Sequence, residues 1–330
     1  MKHGLIIGKF MPLHKGHLAL VNFGLKHCDQ LTVLVCSLNH EPIPGYLRYR
    51  WMKESFAREP RIFVDYTNKE LPQGHLSTRE ISKVWAAYLE THYPKSNIIF
   101  SSEPYGAYLA EYMNHIEFKN FDMHRNQIPT SATQIRENPY ENWDFLAAAA
   151  RPFFVKKVVI YGPESTGKST LAKHLARQFQ SLWVPEIARE ILGERHVVFD
   201  DISEIARLHG RAIEDKLKSA NRILFIDTDL TTTEIYSQYY FQKTPVFSRK
   251  HRNLNQADLT LFCDIDCPWV ADSQRDLGHK RNEMRAIFMK HLLKEKRDYQ
   301  ILCGTWASRL NQAKNMLIRK WPWLETQLLR

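Results

Sequence analysis

Near the start of the chain, Gly8-Lys9-Phe10-Met11-Pro12-Leu13-His14-Lys15-Gly16-His17 fits the pattern G-x-F-x-P-x-H-x-G-H. Six fixed types in ten positions arise by chance in about one chain in several hundred thousand, so the pattern is specific. Glycines let backbone approach a phosphate closely. His14 and His17 lie three apart, so both point one way where a helix begins. Imidazoliums there, with the positive helix N-terminus, can hold a triphosphate. Lys9 and Lys15 are weaker cationic candidates. A second piece, Ser131-Ala132-Thr133-Gln134-Ile135-Arg136, offers Ser131 as a helix N-cap and Arg136 one turn on. That combination suits a phosphate.

The middle of the chain carries Gly162-Pro163-Glu164-Ser165-Thr166-Gly167-Lys168-Ser169-Thr170. This is the phosphate-binding pattern G-x-x-x-x-G-K-[ST], with an apolar strand before it and a helical stretch after it. The backbone N–H groups of 165–169 would wrap a β-phosphate, Lys168 would bridge β and γ, and Ser169 would ligate Mg²⁺. An acid should end a neighbouring strand, and Arg222–Asp229 supplies two. Either Asp227 or Asp229 could hold Mg²⁺ or serve as base. Glu186, with Arg189 three residues on, could deprotonate an acceptor hydroxyl or bind a ribose. Trp269 opens a stretch leading to Arg275, the candidate lid arginine over a γ-phosphate.

The elements that position these groups read as a pattern met twice. Leu5-Ile6-Ile7 and Val158–Tyr161 each run into a glycine turn and then a helical stretch, from Leu18 to Leu25 and from Ser169 to Phe179. Strand, glycine turn and helix open a parallel α/β sheet. The first half continues with strand 31–37, a helix around 49–57, strand 61–66, helix 77–91 and strand 97–103. The second half gives strand 181–186, helix 201–220, strands 222–229 and 259–266, and a basic helical region after Trp269. The expected class is α/β, with two Rossmann-like parallel-sheet domains over 1–150 and 151–330. The boundary is set at Arg151-Pro152, because proline disfavours helix in the residue before it.

The chain has 330 residues, 44% hydrophobic and 25% charged, which excludes disorder as its main state. Its net charge of +10 suits polyanionic ligands without choosing among them. The five cysteines have no framework or zinc spacing and are expected to pack in a reducing compartment. No run approaches a spanning helix or a signal peptide, so a cytoplasmic, soluble protein is expected.

The two N-terminal motifs resemble the HxGH nucleotidyltransferase superfamily, with its ISxTxIR signature present as T-S-A-T-Q-I-R. That resemblance implies attack on the α-phosphate of a nucleoside triphosphate by a phosphate of the second substrate. Gly8, Lys9, Phe10, His14, His17, Ser131, Thr133 and Arg136 would then hold ATP. With a P-loop kinase domain following, the whole chain resembles the bifunctional nicotinamide-nucleotide adenylyltransferases and ribosylnicotinamide kinases of the NadR type. GKFMPLHKGH, EPIPGYLRYRW, SATQIRENP, FFVKKVVIYGPESTGKST, WVPEIARE, FIDTD and DCPWVADSQR carry the resemblance, in the family's order. It implies that ribosylnicotinamide and ATP give nicotinamide mononucleotide, and that a second ATP gives NAD and pyrophosphate. Gly162, Glu164–Thr170 and Arg275 would hold the kinase ATP; Glu186, Arg189, Asp227, Asp229 and Trp269 the nucleoside; Ser169 and Asp227 Mg²⁺. An alternative gives the kinase domain another small nucleoside, or makes it a sensor of ATP or NAD.

Some relatives begin with a DNA-binding helix-turn-helix, for which the first strand near residue 4 leaves no room, so no DNA binding is expected. A functional link to a ribosylnicotinamide transporter is the one macromolecular partner implied, and oligomeric state stays open. Ile187 stands where the family often has a tyrosine able to stack on a nicotinamide ring. Trp85 could be such an aromatic in the first domain, although its amphipathic helix reads as core.

Overall fold

The computed structural model describes every residue except 75–77, 194, 196, 271–275 and 329–330. The chain divides into two compact units, Met1–Phe153 and Phe154–Arg330. Pro152 does not break a helix as the sequence suggests. It lies in the first turn of the four-residue helix Arg151–Phe154, where its missing N–H costs no hydrogen bond.

In the first unit, strands β1 (His3–Gly8), β2 (Gln30–Cys36), β3 (Ile62–Thr67), β4 (Ile98–Ser101) and β5 (Glu117–Asn120) form one parallel sheet in the order β3-β2-β1-β4-β5. The crossovers carry helices α1 (Lys15–Leu25), α2 (Gly45–Ser55), α3 (Arg79–His92) and α4 (Tyr105–Tyr112), and a short α5 (Ala132–Glu137) follows β5. Strand β2 is buried almost throughout, whereas β3 alternates and β5 is polar. Covered faces select continuous apolar runs in central strands, and edges need no such run. The chain reverses direction across the sheet between β1 and β4. That switch point opens a crevice at the strands' carboxyl ends.

The second unit repeats the plan. Strands β6 (Lys156–Tyr161), β7 (Leu182–Val184), β8 (Ile223–Asp227), β9 (Leu259–Cys263) and β10 (Tyr299–Leu302) pair in parallel in the order β10-β9-β6-β8-β7. Helix α6 (Arg151–Phe154) precedes β6 in the chain across the boundary between the units, and α7 (Lys168–Gln178) follows β6. Helices α8 (Ile187–Leu192), α9 (Asp201–Ser219), α10 (Leu230–Phe241), α11 (Arg249–Asn255), α12 (Arg281–Lys294) and α13 (Trp306–Lys320) complete the unit. Leu171 and Leu175 of α7 and Ala313 and Leu317 of α13 close over the central strands. Among the described residues no helix is long and apolar enough to cross a membrane.

Two differences from the sequence reading have clear causes. The first helix starts at Lys15, not Leu18, because His14 caps it. The second starts at Gly45, since Pro44 fixes its entry and Gly45 lies so close to Ser37 that a Cβ there would be 2.3 Å from the hydroxyl.

Candidate functional sites

Each unit holds a cavity of about 430 Å³ at the carboxyl ends of its strands. In the first, the turn after β1 brings Gly8, Lys9, Phe10, His14 and His17 to the wall, and Thr133 and Arg136 of α5 reach it from the far end of the unit. Arg136 donates to Met11 O at 2.5 Å and to Thr133 Oγ1 at 2.9 Å, which ties the two motifs together. Ser131 caps α5, accepting from Gln134 N, and Lys15 is exposed and lines no part of the cavity. Lys9 pairs with Glu41, which is also held by the fully buried Arg48.

The histidines are arranged as a reciprocal cap. His14 Nδ1 accepts from Gly16 N at 3.1 Å, and His17 Nδ1 accepts from His14 N at 3.4 Å. A Cβ on Gly16 would sit 3.0 Å from the His14 ring, so glycine is needed for this approach. The rings stack with centroids 3.6 Å apart. Because both Nδ1 atoms accept, the hydrogen bonds assign the ring proton to Nε2, leaving two neutral N–H donors. The expectation of imidazoliums is corrected here. Burial, helped by Arg125, pulls His14 down to about 4, and burial, His14 and Arg125 hold His17 well below its usual range. A stacked pair beside a guanidinium cannot also carry two protons.

The sign of the pH dependence follows. The unfolded chain holds these protons more tightly, so stability rises with pH from about 4 to 6.5 and flattens above. Nitrogen-15 NMR of the imidazoles should show both rings neutral above about pH 5.5, and a bound triphosphate should move both pKa values upward. Rings titrating near 6.5 in the free protein would contradict this.

In the second unit, Gly162 follows β6 at φ 135°, and a Cβ there would lie 2.6 Å from Cys263 O. The loop it opens presents Glu164, Ser165, Thr166, Gly167, Lys168, Ser169 and Thr170 to the second cavity. Lys168 Nζ donates to Pro163 O at 2.8 Å, poised over the loop. Arg309 of α13, 1% exposed, fixes the loop from behind. It donates to Thr166 O, Asp264 O and Gly304 O and pairs with Asp266. Burial, with Asp276 adding to it and Lys168 opposing, pushes Glu164 up to about 7.

Asp227 ends β8 fully buried, with neither carboxylate oxygen hydrogen-bonded. Burial and then Glu186 raise its pKa, opposed most by Lys168. Glu186 lines the cavity and pairs with Arg189 at 2.9 Å, and Arg189 lines it too.

Two expectations change. Asp229 does not face the cavity as a free acid, because Thr228 adopts φ 66° and turns the chain between the two aspartates. Asp229 instead caps α10, accepting from Thr232 N, and pairs with Arg297 at 2.5 Å. Trp269 lies against Gly278 and under Arg281 instead of lining the cavity. Arg275, the lid candidate, lies outside the described residues.

The structure also adds residues. Arg125 and Glu103 join the first cavity. His209, Tyr236, Tyr240 and Asp276 join the second, with Tyr240 donating to Asp276 at 2.6 Å. Tyr236 and Tyr240 are four apart on α10, a spacing that places them on one face and was open to reading. Arg125 sits in a loop and carried no signal.

The AAA domain family matches residues 157–309. The trifunctional NAD biosynthesis/regulator protein NadR of Escherichia coli K12 is 30% identical over 321 residues, covering 88% of this chain and 76% of that protein. Its counterpart in Salmonella typhimurium LT2 is 30% identical, over 83% of this chain and 72% of that one. The crystal structure of a NadR protein in complex with NAD and AMP-PNP superposes with a TM-score of 0.76 at 24% identity, over 96% of this chain and 95% of that chain. At 30% identity along most of both sequences, this chain belongs to the NadR family.

Proposed function

We propose that the protein makes NAD from ribosylnicotinamide in two steps. The second unit transfers the γ-phosphoryl group of ATP to the ribosylnicotinamide hydroxyl, giving nicotinamide mononucleotide and ADP. In the first unit, the phosphate of that mononucleotide attacks the α-phosphorus of another ATP, giving NAD and pyrophosphate. The observation that carries this reading is the pairing of two chemically distinct phosphate sites in one NadR-family chain. One offers two neutral imidazole donors and Arg136; the other offers the loop lysine beside an unpaired buried aspartate.

In the first unit no protein nucleophile is required. Catalysis is positioning, with charge on the pentavalent phosphorus stabilised by His14, His17 and Arg136. Gly8, Lys9, Phe10, Ser131 and Thr133 complete the ATP site. In the second, Gly162 and Glu164–Thr170 hold the polyphosphate. An unpaired carboxylate next to a hydroxyl is an oxygen donor set suited to Mg²⁺, so Ser169 and Asp227 would hold it, and the ion would neutralise phosphate charge. Asp227 or Glu186 takes the acceptor proton, and Glu186 and Arg189 would bind the ribose.

Ile187 lines the second cavity, so the cleft lacks an aromatic at that position. This favours, as a second reading, a kinase acting on another small nucleoside. Purified protein given ribosylnicotinamide, ATP and Mg²⁺ should yield the mononucleotide and then NAD. Failure to form the mononucleotide would remove the kinase assignment. A cytoplasmic enzyme fed by a ribosylnicotinamide transporter, without DNA binding, fits the same scheme.

The two aspartates should separate cleanly. Asp227→Asn should cut phosphorylation by about a hundredfold or more without loss of stability, because an unpaired buried carboxylate disfavours the folded state. Asp229→Ala removes one of the two carboxylates paired with Arg297, leaving Glu295, and takes the cap from α10; it should cost about 2 kcal/mol in urea unfolding.

A further inference from the structure

The Gln73 side chain lines the first cavity, yet both its amide nitrogen and its amide oxygen are buried without a hydrogen-bond partner. Buried polar atoms are normally paired, and an orphaned pair is costly unless something else completes it. Because both ends are orphaned, the point does not depend on which way the amide is turned.

The local chain explains why Gln73 is held there. Trp85 Nε1 donates to Pro72 O at 2.9 Å, which pins the residue just before it. Leu71 N bonds Lys69 O at 2.8 Å, and Leu71 packs on the core that contains Trp85. Trp85 and Ile81 line the same cavity, so the amide stands beside apolar, ring-sized surface. Trp85 is thus a core residue whose ring also faces the cavity.

One unmet donor next to one unmet acceptor is complementary to a group that presents an acceptor and a donor side by side. A primary carboxamide does so; a carboxylate offers acceptors only. We propose that Gln73 is a specificity-determining residue of the first site, pairing amide to amide with the carboxamide of the incoming mononucleotide and selecting it over the corresponding carboxylate. A carboxylate would satisfy the Gln73 nitrogen but set its own oxygen against the Gln73 oxygen, and a site built for hydrogen bonds rejects the analogue that leaves one unmade.

This inference rests on the adenylyltransferase reading, and the experiment separates the two. Dinucleotide formation is measured with nicotinamide mononucleotide and with nicotinic acid mononucleotide, for the wild type, Gln73→Ala and Gln73→Lys, with thermal unfolding of each variant as the check on folding. The wild type should prefer the amide. Gln73→Ala should raise KM for the amide about tenfold with kcat nearly unchanged. It should leave the acid within about threefold, so the preference falls about tenfold. Gln73→Lys should shift preference toward the acid. A wild type that forms dinucleotide while both variants keep its amide-to-acid ratio would overturn the role of Gln73 alone. A wild type that forms no dinucleotide from either substrate would overturn the adenylyltransferase reading and this inference together.

Discussion

Lys168→Ala is expected to abolish phosphorylation of ribosylnicotinamide while leaving adenylylation of nicotinamide mononucleotide at the wild-type rate. Lys168 is the one loop cation whose ammonium already bonds the loop backbone, at Pro163 O. Its flexible stem lets it exchange that carbonyl for phosphate oxygens. Removing one preorganised donor to developing charge costs about 10²–10³-fold, and here the donor carries a full charge. Supplying each substrate separately with ATP, and following mononucleotide and NAD by chromatography, reads both activities from one preparation.

The converse variant is His17→Ala. It removes one Nε2–H donor and also the acceptor for His14 N, so the reciprocal cap opens and His14 loses its stacking partner. Adenylylation should fall by about 10²–10³-fold, with phosphorylation untouched. His17→Gln, which retains an acceptor and a donor, should recover part of the loss. Were either Lys168→Ala or His17→Ala to silence both reactions in a protein with normal thermal unfolding, the assignment of one reaction to each unit would fail.

What the sequence revealed, and what it hid, follows from burial. Strands β2, β8 and β9 are covered on both faces and announce themselves as apolar runs. The edge strands β5 and β10 have four residues each and exposed polar positions, so neither length nor periodicity marked them. Helix α10 hides for another reason. Its Leu-Thr-Thr-Thr start and aromatic tail favour strand locally, and the Asp229 cap and tertiary packing decide the matter. The phosphate-contacting motifs were legible because close backbone approach leaves few residue types to choose from. The charge state of the histidines was not, since it depends on Arg125 and on stacking. Asp227 and Asp229 looked equivalent until the left-handed turn at Thr228 sent them to different surroundings.

Arg309 carries one last consequence. Its guanidinium gathers acceptors from the loop at Thr166, from the end of β9 and from the turn after β10. The grip on polyphosphate is therefore an attribute of three distant stretches of chain and not of the nine-residue motif. Grafting Gly162–Thr170 onto another scaffold would transplant a loop without its keystone, and damage in the final helix would masquerade as a lesion in chemistry it never meets.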